Sequence, residues 1–287
     1  SCSDIRTPLT SHLIKTAAHS RAMKGVSRGR LLGQTRIMGI INATPDSFYS
    51  DSQGGTVESG LAMIKAGADW IDVGGESTRP GAAEVPIEEE IARTIPIVKA
   101  ISPYCQVSID TRNVEVAKAA LEAGAIMIND VSGLRDQSMV ELVIETGCKV
   151  CIMHMLGEPN NMQKDPQYDD VVAQVNGYLL DKARELVERG HPIDNIFLDP
   201  GIGFGKTLEQ NIELLNSSES LRPYSVLWGV SRKSMIGQLT GKDEPADRLA
   251  GSLAIAALAH SNKIDIIRVH DVDEHVDLLK VLDAMEE

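Results

Sequence analysis

The sequence has few aromatic residues, few cysteines and fewer basic than acidic residues. Only 3% of its 287 residues are aromatic, four are cysteines, and 28 Lys and Arg stand against 41 Asp and Glu. Four cysteines in this length do not form a disulfide framework, and the pair Cys148 and Cys151 has no second pair to complete a zinc site. The cysteine usage therefore predicts a reduced, cytoplasmic protein.

The charge balance and the lack of long apolar runs argue against two classes of partner. A formal net charge of −13 disfavours nucleic acid and anionic membrane surfaces as main partners. No apolar run reaches the roughly 18 residues of a membrane span, and the N-terminus has no apolar stretch of signal-peptide length. An anionic ligand would therefore have to meet a local cationic site in an acidic protein.

The first 36 residues differ in composition from the rest, with seven basic residues and one acid. An organelle-targeting segment can have this composition, but we interpret residues 1–30 as a flexible basic leader. The remaining residues, 31–287, can bury one large core, since a single barrel is typically about 250 residues long. The sequence thus predicts one domain after the leader.

Short apolar runs of strand character alternate with longer amphipathic segments. The eight runs read "RIMGIINA", "DWIDVGG", "QVSID", "AIMIND", "KVCIMHM", "NIFLDP", "SVLWGV" and "DIIRVH". Strands that are apolar on both faces need helices outside them, so the alternation predicts a closed (β/α)8 barrel, the TIM-barrel fold. Nearly every run ends in a polar residue, and the carboxyl ends of barrel strands share one mouth. We therefore expect the functional site at this mouth.

Oxygen donors and an arginine follow the first two strands. Asn42, Asp46 and Asp51 are hard oxygen ligands suited to Mg²⁺ on a phosphate, although an ordinary Ser/Asp/Gly turn would explain this loop equally well. We expect the next helix to begin near Val57. Arg79, in the loop after the second strand, is either solvated or a clamp on an anion.

Carboxylate and amide side chains end three further strands, at Asp110, Asn129 and Asp199. Asp110 alone could cap the following helix, but three such groups in one mouth offer donors and acceptors to a flat heterocycle. The glycine-rich stretch "LDPGIGFGK" is not a dinucleotide fingerprint, because its spacing is G-x-G-x-G-K and no long helix follows directly. Its Phe204 would stack on a planar ligand or wall it.

Cationic groups follow the seventh and eighth strands. Lys233 lies in "SRKS", and Arg268 and His270 lie in "RVHDV". The loops after these two strands commonly bind phosphate in this architecture. The expected ligand is therefore anionic at one end and heterocyclic at the other.

Taken together, the motifs resemble those of the dihydropteroate synthase family. They are, in order, "MGIINATPDSF", "GGESTRPGA", "VSIDT", "IND", "LDPGIGFGK", "GVSRKSMIG" and "RVHDV". The resemblance implies a homodimeric, pterin-binding (β/α)8 barrel and a transferase of folate biosynthesis. Such an enzyme condenses 6-hydroxymethyl-7,8-dihydropterin diphosphate with 4-aminobenzoate to give 7,8-dihydropteroate and diphosphate, with Mg²⁺ as the expected cofactor.

The resemblance also implies roles for individual residues. The implied substrate-binding set is Phe48, Thr78, Pro80, Asp110, Asn129, Met153, Asp199, Phe204, Gly229, Lys233, Ser234, Arg268 and His270. The implied catalytic set is Asp46, Arg79, Lys233, Arg268 and His270, and the implied metal set is Asn42, Asp46 and, less closely aligned, Asp51. The alignment is looser at Asp51 because Tyr49, Ser52 and Gln53 lengthen the first loop relative to the family pattern.

Within the substrate-binding set, the resemblance divides the residues by the part of the ligand that they contact. Asp110, Asn129, Asp199 and Lys233 resemble the pterin site, with Met153 lining it. Asn42, Arg268 and His270 resemble the diphosphate site, and Ser234 with Phe204 the aminobenzoate side. Asp46, Phe48, Asp51, Thr78, Arg79 and Pro80 resemble the two mobile loops that complete the site.

Three other hypotheses remain open at this point. A pterin-dependent methyltransferase of the same barrel type would share Asp110, Asn129 and Asp199 but would not need Lys233. A Schiff-base aldolase would rest on Lys233 alone. A non-catalytic pterin-binding paralogue would not need a polar residue at nearly every strand end, which the sequence has.

Overall fold

The computed structural model of the chain describes residues 34–43, 53–76, 85–157 and 166–286. The eight strands within these ranges, β1 to β8, are Arg36–Asn42, Trp70–Gly74, Gln106–Asp110, Met127–Asp130, Lys149–Met153, Ile196–Asp199, Ser225–Trp228 and Ile266–Val269. All neighbouring strands are parallel, and β1 pairs with both β2 and β8, so the sheet closes into a barrel. The predicted (β/α)8 TIM barrel is confirmed.

Nine α-helices surround the barrel in the described ranges. In chain order, α1 to α9 are Gln53–Ala66, Ile87–Ile101, Val114–Ala123, Gln137–Thr146, Val171–Glu188, Leu208–Asn216, Ser234–Thr240, Leu249–Ser261 and Val272–Glu286. None of them combines the length and apolarity required to cross a membrane. Residues 1–30, interpreted above as a leader, lie outside the described residues.

The predicted start of α1 near Val57 was wrong, because the helix begins at Gln53. A start near Val57 would leave Gly54 and Gly55 in the preceding loop, whereas both belong to the first turn of the helix. The first turn of a helix has no intrahelical acceptors for its backbone N–H groups, and a glycine pair is tolerated there better than in the interior.

Local chemistry fixes several of the helix boundaries near the barrel. Thr207 caps α6 in a capping box with Gln210, and the Asp136 side chain accepts a 2.8 Å hydrogen bond from the backbone of Ser138 at the start of α4. Gly124 ends α3 in the left-handed conformation, with φ of 114°. These caps keep the connections short and hold the strand ends in place.

Side chains that point into the barrel change from apolar to polar along the even-numbered strands. The lower cluster is apolar and consists of Met38, Trp70, Met127, Cys151, Phe197, Leu227 and Ile266. These side chains are buried and fill the interior of the barrel, so the cluster is a packed plug and not a pore. Burying each large apolar side chain contributes about 1.5–3 kcal/mol to the stability of the fold. Successive residues alternate across a strand, so the next inward positions lie two residues further on.

Those next inward positions form the floor of the barrel mouth. On the even-numbered strands they are Asp72, Asn129, Asp199 and Arg268. Side chains from alternate strands form one layer in this architecture, so these four polar residues share a layer. The fold therefore places a polar layer directly on an apolar plug.

Candidate active site

Arg268 binds two carboxylates, that of Asp72 in the polar layer and that of Asp110 above it. Its Nε donates a 2.6 Å hydrogen bond to Asp72 Oδ2, and its Nη2 donates a 2.9 Å hydrogen bond to Asp110 Oδ2. The amide of Asn129 donates to the same oxygen of Asp72, at 3.0 Å. Residues from β2, β3, β4 and β8 thus form one connected cluster at the mouth. Two predicted pterin ligands and one predicted diphosphate ligand belong to it.

Asp110 does not cap the helix that follows its strand. The residue that precedes α3 is Asn113, whereas Asp110 is bound to Arg268 and is 8% exposed. Burial raises the pKa of Asp110 to about 7, the Arg268 guanidinium opposes this shift, and the negative charge of Asp72 adds to it. Two acids therefore share one guanidinium at the mouth.

Asp199 and Lys233 form the second polar group of the site. Asp199 Oδ1 accepts a 2.8 Å hydrogen bond from the backbone N–H of Gly201. Burial raises the pKa of Asp199, and the neighbouring Lys233 opposes this shift. A Cβ on Gly229 would lie 3.7 Å from Asp199 Oδ2 and 4.0 Å from Lys233 Nζ. Gly229 therefore lies next to both the acid and the amine.

Lys233 stays mostly protonated at neutral pH in this setting. Burial lowers its pKa to about 8, and the negative charge of Asp199 opposes the decrease. Its ammonium group donates to the backbone carbonyl of Ile202 and lies 4.4 Å from the centre of the Phe204 ring. Lys233 is thus available as a hydrogen-bond donor beside Asp199.

Lys206 binds the glycine-rich loop after β6 to the end of β5. Its Nζ donates to the backbone carbonyls of His154, Gly201 and Phe204 at 3.3, 3.0 and 2.9 Å. It also lies 3.2 Å from His154 Nδ1, and burial lowers the pKa of Lys206 to about 7 and that of His154 to about 3. The loop that carries Phe204 is therefore held in place from below.

Gly201 shows why this loop is rich in glycine. It has φ of +67°, and a Cβ there would lie 1.8 Å from the backbone oxygen of His154. No other residue fits so close a backbone approach in the left-handed conformation. Nearby, Met153 packs with Val131 and Met155, and Phe204 covers this small apolar cluster.

The loops after β7 and β8 are bound to each other. Arg232 Nε donates a 2.9 Å hydrogen bond to Asp271 Oδ2, and Ser231 Oγ lies 3.0 Å from His270 Nδ1. Arg232 has φ of 59°, and its backbone N–H donates to Ser252 Oγ at 3.0 Å. The strained turn is thus fixed by neighbours on both sides, and Lys233 follows directly from it.

Comparison with known proteins identifies the family of this barrel. A model of the family described as pterin binding enzyme matches residues 38–270. The chain belongs to the pterin-binding enzyme family. The match runs from β1 to His270 and includes both polar groups of the mouth, and the resemblance predicted from the motifs is confirmed.

Relatives of this pterin-binding chain include enzymes with assigned activity. It is 46% identical over 264 residues to the dihydropteroate synthase of Escherichia coli strain K12, covering 88% of this chain and 92% of the relative. A solved Xanthomonas albilineans dihydropteroate synthase with 4-aminobenzoic acid is 41% identical, with a TM-score of 0.82 and coverage of 88% and 93%. The Burkholderia cenocepacia enzyme complexed with 7,8-dihydropteroate is 42% identical, with a TM-score of 0.81 and coverage of 88% and 92%.

The structure locates some of the predicted site residues and leaves others aside. Contacts bring together Asp110, Asn129 and Arg268 in one group and Asp199, Gly229, Lys233 and Phe204 in another. Asn42 is exposed at the end of β1, where it pairs in register with Gly74, and Ser234 is exposed at the start of α7. Asp46, Phe48, Asp51, Thr78, Arg79 and Pro80 lie outside the described residues.

Two buried residues of the barrel mouth, Asp72 and Lys206, are absent from the site residues predicted from the sequence. Asp72 follows the plug residue Trp70 by two positions, the same spacing that separates Met127 from Asn129. Lys206 ends the quoted glycine-rich stretch, where a lysine beside three glycines has carbonyls within reach. The spacing of Asp72 could be interpreted only once the inward positions of the strands were known. The place of Lys206 could be interpreted only with the backbone geometry of its loop.

Proposed function

We propose that this pterin-binding family member is a dihydropteroate synthase. It would condense 6-hydroxymethyl-7,8-dihydropterin diphosphate with 4-aminobenzoate and release diphosphate. Support comes from the relatives named above, which share more than 40% of their residues with this chain. The observation that carries the proposal is the arrangement of buried acids and cationic groups around a single barrel mouth.

The pterin end of the substrate fits the polar layer. Asp199 is buried and has one carboxylate oxygen bound to a backbone N–H, so its second oxygen can accept from the guanidine-like edge of a pterin. Lys233 can donate to a carbonyl or ring nitrogen of the same ligand. Asn129 and Asp110 supply further hydrogen-bonding groups from the opposite wall.

The diphosphate end fits the cationic side of the mouth. Arg268 lies in β8 and His270 directly follows it, and guanidinium binds phosphate in a bidentate manner. Asn42 lies exposed at the neighbouring end of β1 and offers an amide oxygen, a donor that suits Mg²⁺. We propose that Asn42 and Asp46, with Asp51 as a further candidate, hold Mg²⁺ together with the substrate. When bound, Mg²⁺ would neutralise charge on the leaving diphosphate.

The described residues do not form a metal cage of their own. No group of three or more His, Cys, Asp or Glu within the described ranges is spaced to hold a metal ion. We propose Mg²⁺ as the cation, because oxygen ligands and substrate phosphates suit it.

The reaction needs positioning and charge stabilisation more than a side-chain nucleophile. The C–O bond between the pterin methylene and diphosphate breaks, and its electron pair leaves with diphosphate, whose charge Arg268 and His270 stabilise. The amine of 4-aminobenzoate then forms the C–N bond and loses a proton. Phe204 and Ser234 would position the aminobenzoate ring, and the loops that carry Phe48, Thr78, Arg79 and Pro80 would exclude water.

We also propose that the protein is a homodimer that pairs through α8. This helix reads LAGSLAIAALAHS and is apolar on all sides, yet Ala250, Ala254 and Leu258 are exposed. A helix that is apolar all round is normally buried. A second copy of the chain would cover this face. The cytoplasmic location and the lack of nucleic-acid or membrane partners stay predictions.

One assay tests the proposed activity directly. The protein is incubated with the pterin diphosphate, 4-aminobenzoate and Mg²⁺, and chromatography with mass spectrometry measures dihydropteroate and diphosphate. Equal amounts of both products are expected, with none when 4-aminobenzoate is left out. A folded protein that binds the pterin but yields no dihydropteroate would contradict the proposal and favour a binding paralogue.

A further inference from the structure

Asp72 lies below the ligand pocket and contacts two of its walls at once. The residue is 0% exposed, and a single oxygen, Oδ2, accepts from Arg268 Nε at 2.6 Å and from Asn129 Nδ2 at 3.0 Å. The other oxygen, Oδ1, has no hydrogen-bond partner among the described residues. The two donors on Oδ2 are therefore what keeps this buried carboxylate satisfied.

We propose that Asp72 is a positioning residue that holds Arg268 by its Nε while the substrate replaces Arg268 at Asp110. The proposal rests on the proposed function, since it concerns the pterin diphosphate. Asp72 does not touch the substrate in this account, because it is fully covered. It acts through Arg268 and Asn129.

A ligand can reach only one of the two acids that Arg268 binds, because Asp110 lies nearer the mouth than Asp72. Asp110 pairs in register with Gly74, two residues beyond Asp72 along β2, so it lies nearer the mouth by about 6.6 Å of strand rise. In the free protein the Nη2 of Arg268 occupies an oxygen of Asp110. A pterin N–H group that binds this oxygen competes with Nη2 for it, and a released Nη2 is then free to turn toward diphosphate.

Charge explains why the second bond has to persist. Asp72 is the more deeply buried of the two acids that share the Arg268 guanidinium. If Arg268 left both acids, Asp72 would be a buried charge that holds only an amide hydrogen bond, which is strongly unfavourable. The Nε bond thus keeps the arginine in the pocket during the exchange.

Asp72 also fixes the orientation of the Asn129 amide. A carboxylate only accepts hydrogen bonds, so it binds the amide nitrogen of Asn129 and not its oxygen. The Asn129 oxygen is thereby left for an N–H group of the ligand. One buried acid therefore sets the hydrogen-bonding pattern of two pocket residues from different strands.

The decisive variant is Asp72→Asn, which keeps the shape but removes the charge and one acceptor. We expect the KM for the pterin diphosphate to rise about tenfold or more, while the KM for 4-aminobenzoate stays within about twofold. The matched control is Ser108→Ala. Ser108 pairs in register with Asp72, is equally buried and has a hydroxyl without a partner among the described residues. This control should behave as the unchanged protein does.

A pH profile separates positioning from a general loss of stability. The charge of Asp72 raises the pKa of Asp110, so its removal should move the acidic limb of kcat/KM for the pterin diphosphate to lower pH. A variant that is merely less stable would keep the limb in place. Unchanged KM and an unchanged limb in folded Asp72→Asn would overturn the proposal.

A second measurement needs no variant and covers the case in which Asp72→Asn does not fold. A crystal structure of the unchanged protein with the pterin diphosphate alone should keep Arg268 Nε on Asp72 and show Nη2 away from Asp110. Loss of the Nε bond would overturn the proposal. Absence of dihydropteroate formation by the unchanged protein, with the predicted exchange seen in the crystal, would count against the proposed function alone.

Discussion

The ammonium group of Lys233 lies 4.4 Å from the centre of the Phe204 ring. A protonated amine is attracted to the face of an aromatic ring, and the pKa of about 8 keeps Lys233 largely protonated at neutral pH. An imine-forming lysine has to be neutral when it attacks a carbonyl. The contact therefore favours a hydrogen-bonding role for Lys233 over Schiff-base chemistry.

Borohydride treatment in the presence of the pterin diphosphate should leave Lys233 unmodified. No imine forms in the proposed mechanism, so there is no double bond to reduce. Intact-protein mass spectrometry with peptide mapping makes the measurement. A substrate-derived mass on Lys233 would revive the aldolase hypothesis.

Lys233→Ala and Ser234→Ala should affect different substrates. Loss of the Lys233 donor should weaken pterin binding by about 1–3 kcal/mol, because its partner on the ligand loses a charged hydrogen bond. Ser234→Ala should act mainly on the KM for 4-aminobenzoate. Steady-state kinetics with each substrate varied in turn makes the comparison, and equal effects of both variants on both substrates would contradict the assignment.

Asp199→Asn should reduce pterin affinity about 10–100-fold. The substitution keeps the shape but turns an acceptor into a donor that faces an N–H edge, at a cost of about 1–3 kcal/mol. Calorimetry with the pterin diphosphate measures the change. The matched control is Asp194→Asn, an exposed residue just before the opposite end of β6. Unchanged affinity in Asp199→Asn would show that this acid only orders the turn at Gly201.

Asp110 should make stability depend on pH in the absence of ligand. Its folded-state pKa of about 7 lies above the ordinary value of 3.8, so the native state holds more protons than the unfolded state between these values. The free energy of unfolding should therefore fall, relative to that of Asp110→Asn, as pH rises from about 4 to about 7. Urea unfolding of both proteins at several pH values tests this, and a constant difference would contradict it.

Lys206→Met should destabilise the protein by about 2 kcal/mol or more, since three backbone carbonyls lose their shared donor. The pterin affinity should fall as well, because the loop that carries Phe204 is no longer bound to β5. Lys118→Met, at an exposed position of α3, is the control and should change stability by less than about 0.5 kcal/mol. Equal melting temperatures for the two variants would contradict the stabilising role of the Lys206 hydrogen bonds.

Removal of Mg²⁺ with a chelator should abolish turnover and leave the fold intact. Mg²⁺ is proposed to bind mainly through the phosphates of the substrate, with a few protein oxygens as further ligands. The fold of the barrel therefore does not depend on the metal. Circular dichroism and the product assay are run on the same sample. Zinc that survives dialysis and is required for folding would contradict the assignment.

The sequence predicted the barrel because each strand is short, apolar and followed by an amphipathic segment. It also predicted Asp110, Asn129, Asp199 and Arg268 as groups at the mouth, since each ends or nearly ends an apolar run. It could not show that Arg268 lies between Asp72 and Asp110, because that contact depends on barrel closure. The boundary at Gln53 and the carbonyl contacts of Lys206 depend on backbone geometry, which residue patterns do not specify.

The contact between Arg268 and Asp72 joins residues 196 positions apart in the chain. Bringing such distant residues together carries a loop-closure entropy cost, which is why non-local pairing is slow. A chain that has not yet added β8 thus has no Arg268 to place beside Asp72, and the pterin pocket exists only once the last strand meets the first. A pterin ligand would accordingly bind and stabilise the closed barrel alone, which shifts the folding equilibrium by mass action.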